Sequence, residues 1–245
     1  GSVIHAMNHE QDMRKMGGLR KYLPVTYPTF LIGAIAIAGG PFLSGFFSKD
    51  AILTHAYANG QYFIWALGII GAVLTAFYMF RLIFLTFHGE ERIEPEAKKH
   101  LHESPPMMTI PLALLAFFSI IAGYIGLPIV FGKNLDRFGH FLEPVIAKGH
   151  EAHLSHQTEW LLILISVAVA FAGILIAWFF YLKNPRIPHG LVAKFPFLYK
   201  LLYHKYYVDE LYNAAFVNST IRGSELIYDK FDLKVIDGTA NGAGS

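Results

Sequence analysis

YLPVTYPTFLIGAIAIAGGPFLSGFFS, residues 22–48, runs for 27 residues without an Asp, Glu, Lys or Arg and then meets Lys49-Asp50. A hydrocarbon core is crossed by about 20 apolar residues, so this stretch is long enough to span a membrane. It is also interrupted. Gly39-Gly40-Pro41 stands in its middle, with Ser44-Gly45 just behind. Proline removes a backbone donor and glycine weakens the turns around it. The run, with its apolar core over residues 27–47, therefore predicts two half-helices instead of one rod. Inside a bilayer such a break persists only where protein or water satisfies the freed backbone groups.

Three more windows lack those four residue types: 51–80, 104–132 and 160–182. Only 16% of the chain is charged, against about a quarter in soluble domains. The expected fold is therefore an all-α integral membrane protein with about four transmembrane helices, the first one broken. The spans fall over residues 27–47, 62–88, 107–131 and 160–182. Tyr22, Tyr62, Trp65, Trp160, Trp178 and Tyr181 lie near their ends, as an interfacial belt requires. The connecting segments 1–21, 81–104 and 183–205 hold four, four and five Lys and Arg, against none in 50–61 and three in 133–159. The richer set is expected on the cytoplasmic or matrix side.

Beyond the fourth span, charges mix with an apolar stripe: Val208, Leu211, Tyr212, Ala215, Phe216, Leu226 and Ile227. That spacing fits one face of a helix. The stretch is too polar to span, and it predicts an amphipathic helix lying on the membrane surface or along partner subunits. Residues 238–245 are small and polar and read as a flexible end. The regions are thus a loop (1–23), a transmembrane segment (24–190) and a lateral helix with its end (191–245).

Several function classes drop out. With no cysteine, iron–sulfur ligation, thiolate chemistry and disulfides have no residues to work with. A net charge of +2 gives no case for a nucleic-acid surface, and no phosphate-binding glycine motif is present. The first residues lack the pattern of a signal peptide. They read as a start in mid-architecture, as in a piece of a longer chain.

Lys49 is the sharpest candidate. A lysine beside a low-dielectric core is costly as an ammonium, so it is suited to take up and release a proton, with Asp50 as an acidic neighbour. The blander reading is a lysine snorkelling to the headgroups. His55, just beyond, and His5, in the opening loop, titrate near neutrality and are further candidates for a proton path, with His9 behind them. Arg81 stays charged and is expected to anchor helix packing or a lipid phosphate. Ser44 and Ser48 either line a wetted break or satisfy backbone groups within the helix. His150, His153 and His156 recur every three residues beside Glu151, a loose metal-ligand pattern with no fixed fourth ligand, more simply a solvated loop.

Four strings carry a resemblance. GSVIHA with HEQDMRKMGGL (residues 1–6 and 9–19), SGFFSKD (44–50), FYMFR (77–81) and YYVDELY (206–212) resemble the NuoL-type antiporter-like subunits of proton-pumping NADH:quinone oxidoreductase, respiratory complex I. The resemblance implies the later helices of a subunit at the far end of the membrane arm. Lys49 and Asp50 would then stand in a half-channel on a broken helix, and the amphipathic stretch would begin a long lateral helix. It also implies other membrane-arm subunits and the lipid bilayer as partners and a multi-pass place in the bacterial or mitochondrial inner membrane. FMN, iron–sulfur clusters and quinone would be bound by other subunits and no cofactor by this chain. A multisubunit sodium/proton antiporter or a related membrane-bound hydrogenase complex shares the fold and is the alternative.

Overall fold

The structure is a computed structural model that describes residues 1–127, 136–142, 144–145 and 154–244. The chain divides into two units, residues 1–186 and 187–245. Among the described residues of the first, every named element is helical: α1 (Ser2–Ala6), α2 (Thr26–Ala38), α3 (Ser44–Ala58), α4 (Tyr62–Phe87), α5 (Pro95–Lys99), α6 (Pro106–Ile121), α7 (Arg137–Leu142) and α8 (His156–Trp178). The protein is an all-α membrane protein. Among the described residues, three helical runs are long and apolar enough to cross a bilayer: Tyr62–Phe87, Pro106–Ile125 and His156–Lys183.

The first run breaks as its glycines and proline predict. α2 covers 13 residues, about 20 Å at 1.5 Å per residue, and stops at Gly39 in the left-handed region (φ +77°). The Gly39 N–H donates to Ala36 O and the Gly40 N–H to Ile35 O, closing the helix end in the manner of a Schellman motif. The chain restarts as α3 at Ser44. It continues well past the end of the apolar run, so Lys49 and Asp50 lie inside the second half-helix instead of at its margin. The break carries strain of its own, since Phe42 also adopts a left-handed conformation (φ +66°), disfavoured for a bulky side chain.

α4 and α8 form the main pair, with α2 and α3 also packed against α4 and α6 against α2. Small residues stand where the two approach closely. Along α8 the buried row after Leu162 is Ser166, Ala170, Gly173 and Ala177, and along α4 Ala72 and Ala76 precede the larger Phe80 and Ile83. Lipid tails are as apolar as a leucine side chain, so close backbone approach, not hydrophobicity, holds such helices together. A methyl group placed on Gly173 would come 2.6 Å from Val73 O and 2.8 Å from Ala76 Cβ. The opposite faces expose large apolar residues such as Phe63, Leu67, Leu164 and Leu175, the pattern of a lipid-facing surface.

The polar connections are stitched to one another. In the HEQDMRKMGGL loop Arg14 pairs with Asp12 at 2.6 Å, holding that carboxyl down at about 2. Lys15 pairs with Glu10 and with Glu94, and Arg92 donates to Arg14 O. The Gly18 N–H bonds to His88 O. Two glycines therefore mark a crossing of chains: a Cβ on Gly17 would collide with Glu90 O.

Glu103 performs the most exact local task. At its N-terminus α2 has no side-chain cap from Val25. Instead, the Glu103 carboxylate accepts hydrogen bonds from the Val25 N–H (2.7 Å), the Thr26 N–H (3.0 Å) and the Thr26 hydroxyl (2.6 Å). Thr26 also meets the buried Ser2 hydroxyl, and Ser2 meets Ser104. Partial burial by itself pushes Glu103 up, but the bonds from Thr26, Val25 and Ser104 outweigh it and leave the carboxyl below its ordinary 4.5. A group lowered by folding stabilises the fold above its unfolded value and loses that contribution as the pH falls through its folded one. In the full-length protein, Glu103→Gln is therefore expected to cost about 1 kcal/mol at neutral pH, the size of a lost helix cap. The gap from the unchanged protein should close as the pH drops below 4.5, read by thermal unfolding in detergent. A gap that does not vary with pH would count against the charged cap.

The second unit begins within Arg186–Lys194 (α9) and holds α10 (Pro196–Tyr203), α11 (Val208–Tyr212), α12 (Asn218–Ile227) and α13 (Gly238–Ala243). Lys205, Tyr206 and Tyr207 all take positive φ and turn the chain between α10 and α11. From Val208 the run stays helical, with wider π-type turns over Asn213–Val217 and Tyr228–Asp237. Every described side chain from 208 onward is exposed. The stripe is thus carried on one long helix without a core of its own. Residues 238–243, which read as a loose end, remain helical because adding a turn to a helix costs far less than starting one.

Candidate functional site

The break between α2 and α3 gathers the polar groups. Four backbone carbonyls at a helix C-terminus lack helical partners, and the macrodipole makes that end negative. Lys49 exploits this. From the second turn of α3 its side chain folds back over Gly39, and Nζ donates to Ala38 O at 3.4 Å. A Cβ on Gly39 would collide with the Lys49 ammonium and its Cε. Gly39 is therefore needed twice, for its left-handed φ and for the space it leaves. Lys49 is half-buried and, among the described residues, forms no ion pair.

Asp50 points elsewhere. Successive side chains on a helix diverge by about 100°, and Asp50 faces α8, where Oδ1 accepts a hydrogen bond from the Ser166 hydroxyl at 2.5 Å. Both are buried, Asp50 5% and Ser166 2% exposed. Asp50 Oδ2 is buried with no hydrogen-bond partner among the described residues. A buried carboxylate held through one oxygen is undercompensated, which is costly in a low-dielectric setting.

The two serines of the break divide their work. Ser48 Oγ bonds back to Ser44 O and Gly45 O within α3. Ser44 Oγ reaches Ser119 O on α6 at 2.9 Å. A Cβ on Gly45 would strike Ala36 O, so the two half-helices touch backbone to backbone.

Against this geometry the family comparison is decisive. A family model for the C-terminal transmembrane part of an NADH dehydrogenase (complex I) subunit matches residues 79–232, well over half of the chain. The chain belongs to that family. A second model, NADH:quinone oxidoreductase/Mrp antiporter, TM, matches residues 1–75 of this complex I family member and so contains the break, Lys49 and Asp50. Three relatives align along almost all of it. NAD(P)H-quinone oxidoreductase chain 5 of Picosynechococcus sp. is 41% identical, covering 100% of this chain and 40% of its own length. NADH-quinone oxidoreductase subunit L of Neisseria meningitidis serogroup B is 36% identical, covering 99% and 40%. NADH-ubiquinone oxidoreductase chain 5 of Phytophthora infestans is 38% identical, covering 97% and 36%. The chain spans about 40% of the length of the curated relatives it matches.

The remaining candidates of this complex I family member lie apart from the break. His55 is exposed on the later part of α3, where its carbonyl accepts from the Asn59 amide. His5 is exposed on α1 with its ring edge-on to His102 at 6.1 Å, and His9 is exposed in the loop. The structure thus brings Lys49 and Asp50 to one break and joins neither His55 nor His5 to them. Arg81 lies over the Tyr181 ring at 5.5 Å, tying α4 to the π-type turn Phe179–Lys183 that follows α8. His150 and His153 lie outside the described residues. His156 starts α8, where its Nε2 accepts from the Trp160 indole. Among the described residues no three groups of the kind that ligate metals come together.

Sequence reasoning missed Ser166, the one hydroxyl besides Tyr181 in the 160–182 run. A lone serine on a row of small residues was the signal. It also missed Glu103, which looks like any loop carboxylate until the N-terminus of α2 is placed beside it.

Proposed function

We propose that this chain forms part of a proton-translocating membrane subunit of NADH:quinone oxidoreductase, and that it moves protons through the half-channel that holds Lys49. The observation that carries the reading is the Lys49 seat: a half-buried ammonium with one long carbonyl contact, at the break between two half-helices. A cation held that weakly has a proton occupancy that depends steeply on nearby charge. A change in the charge of a neighbouring element can therefore load and unload it without moving the backbone far. Asp50 offers a second proton acceptor one residue on. Redox chemistry lies on other subunits, which bind FMN, iron–sulfur clusters and quinone. Partners are the other membrane-arm subunits and the lipid of a bacterial or mitochondrial inner membrane, crossed several times by the full subunit.

Native membranes resolved on a mild-detergent native gel, stained for NADH–dye activity and then denatured, test the assembly. An antibody to residues 197–234 should find, within the active band, a subunit much heavier than 27.5 kDa. A 27.5 kDa species outside that band would contradict the reading. The match of residues 1–75 to a model that also covers Mrp antiporters favours one alternative, a subunit of a multisubunit sodium/proton antiporter. Proton movement by the purified assembly that depends on sodium would select it.

A further inference from the structure

Ser166 has one rotatable bond before its hydroxyl, and its backbone is placed by contact instead of by flexible side chains. Two turns further along α8, Gly173 lies against Val73 O and the Phe77 N–H of α4. Ala170 between them is 1% exposed. The hydroxyl is thus delivered to α3 from a rigid rail, and it meets Asp50 Oδ1 at 2.5 Å. The second oxygen, Oδ2, is buried with no partner among the described residues.

We propose that Ser166 is a positioning residue for proton transfer at Asp50: its bond to Oδ1 fixes the carboxylate plane and leaves Oδ2 as the atom that takes up and releases the proton. The proposal rests on the reading that Lys49 and Asp50 carry a transported proton. The arrangement works in both protonation states. As a carboxylate, Asp50 accepts the serine hydrogen at Oδ1. With a proton on Oδ2, Oδ1 becomes the carbonyl oxygen of a carboxylic acid and still accepts it. A proton arriving at Oδ2 neutralises the carboxylate and leaves its donor, an ammonium or a hydronium, one charge lower. No electron moves and no co-reactant is needed. α8, the helix that pairs with α4, thereby holds α3 at Asp50.

The test uses the intact complex in sealed proteoliposomes and reads the initial rate of NADH-driven proton movement. Ser166→Ala is expected to slow it roughly tenfold, the scale of one lost hydrogen bond to a charged group, with the amount of assembled complex unchanged. Ser166→Thr, which keeps the hydroxyl, should restore it. In an Asp50→Asn background, Ser166→Ala should add no further loss, since coupled residues are not additive. Normal pumping by Ser166→Ala alongside a defective Asp50→Asn would overturn the positioning role and leave the Lys49–Asp50 reading intact. Additive losses in the double variant would overturn it too, because Ser166 would then act through packing alone. Normal pumping by Asp50→Asn would sink the role of Asp50 itself, and the proposal with it. If Ser166→Ala fails to accumulate, Ser166→Cys decides, with its similar volume and weaker donor. Intermediate pumping supports the proposal and unchanged pumping overturns it.

Discussion

Gly173→Leu is expected to keep the protein out of the assembled membrane complex. A single Cβ at this position comes 2.6 Å from a backbone oxygen of α4 and 3.2 Å from a backbone nitrogen, and neither can swing aside as a side chain would. The leucine must therefore push α8 away from α4. That opens the row Ala72, Ala76, Ala170 and Ala177, all buried at 5% exposure or less. Overpacking typically costs about 1–3 kcal/mol, and collision with backbone belongs at the upper end. In a bilayer little compensates, because separated helices gain no hydrophobic penalty that would drive them back together. The amount of this chain in detergent-resolved complex measures the effect. Accumulation and thermal stability equal to the unchanged protein would show that α4 and α8 do not pack as described.

Gly39→Ala should act differently, on function more than on stability. Its Cβ falls where the Lys49 ammonium lies, but the end of a lysine side chain moves cheaply. The fold therefore loses mainly the cost of a left-handed alanine, about 1–2 kcal/mol, while Lys49 loses its place on the Ala38 carbonyl. Gly39→Asn separates the two effects, since asparagine tolerates the left-handed region yet carries the same Cβ. Both variants should assemble and move markedly fewer protons per NADH oxidised. An asparagine variant that pumps normally would show that the seat over Gly39 is not needed.

Much of this was legible in the sequence because the bilayer writes simple rules. Charge-free runs marked the apolar helices, and Gly39-Gly40-Pro41 marked the break, since no other residues end a helix so firmly in the middle of an apolar stretch. Lys49 announced itself as the first charge after 27 residues without one. What stayed hidden was long-range. Ser166 and Asp50 are 116 residues apart, and no local period links them. The cap that Glu103 places on α2 joins residues 77 and 78 positions apart. The reach of α3 beyond the apolar run was also missed. Composition ends the apolar run at Ser48, whereas the helix runs on to Ala58, with a carbonyl for Lys49 and a serine for Asp50 to meet. Period and composition report what a residue prefers, and these partners arise only when separate helices are set side by side.

The proposed function turns on Lys49 as the carrier of a transported proton. The most direct measurement is the number of protons moved per NADH oxidised by reconstituted complex bearing Lys49→Ala, compared with the unchanged complex at equal assembly. The variant is expected to assemble and to oxidise NADH in detergent while moving distinctly fewer protons. A correctly assembled Lys49→Ala complex that moves the full complement would contradict it.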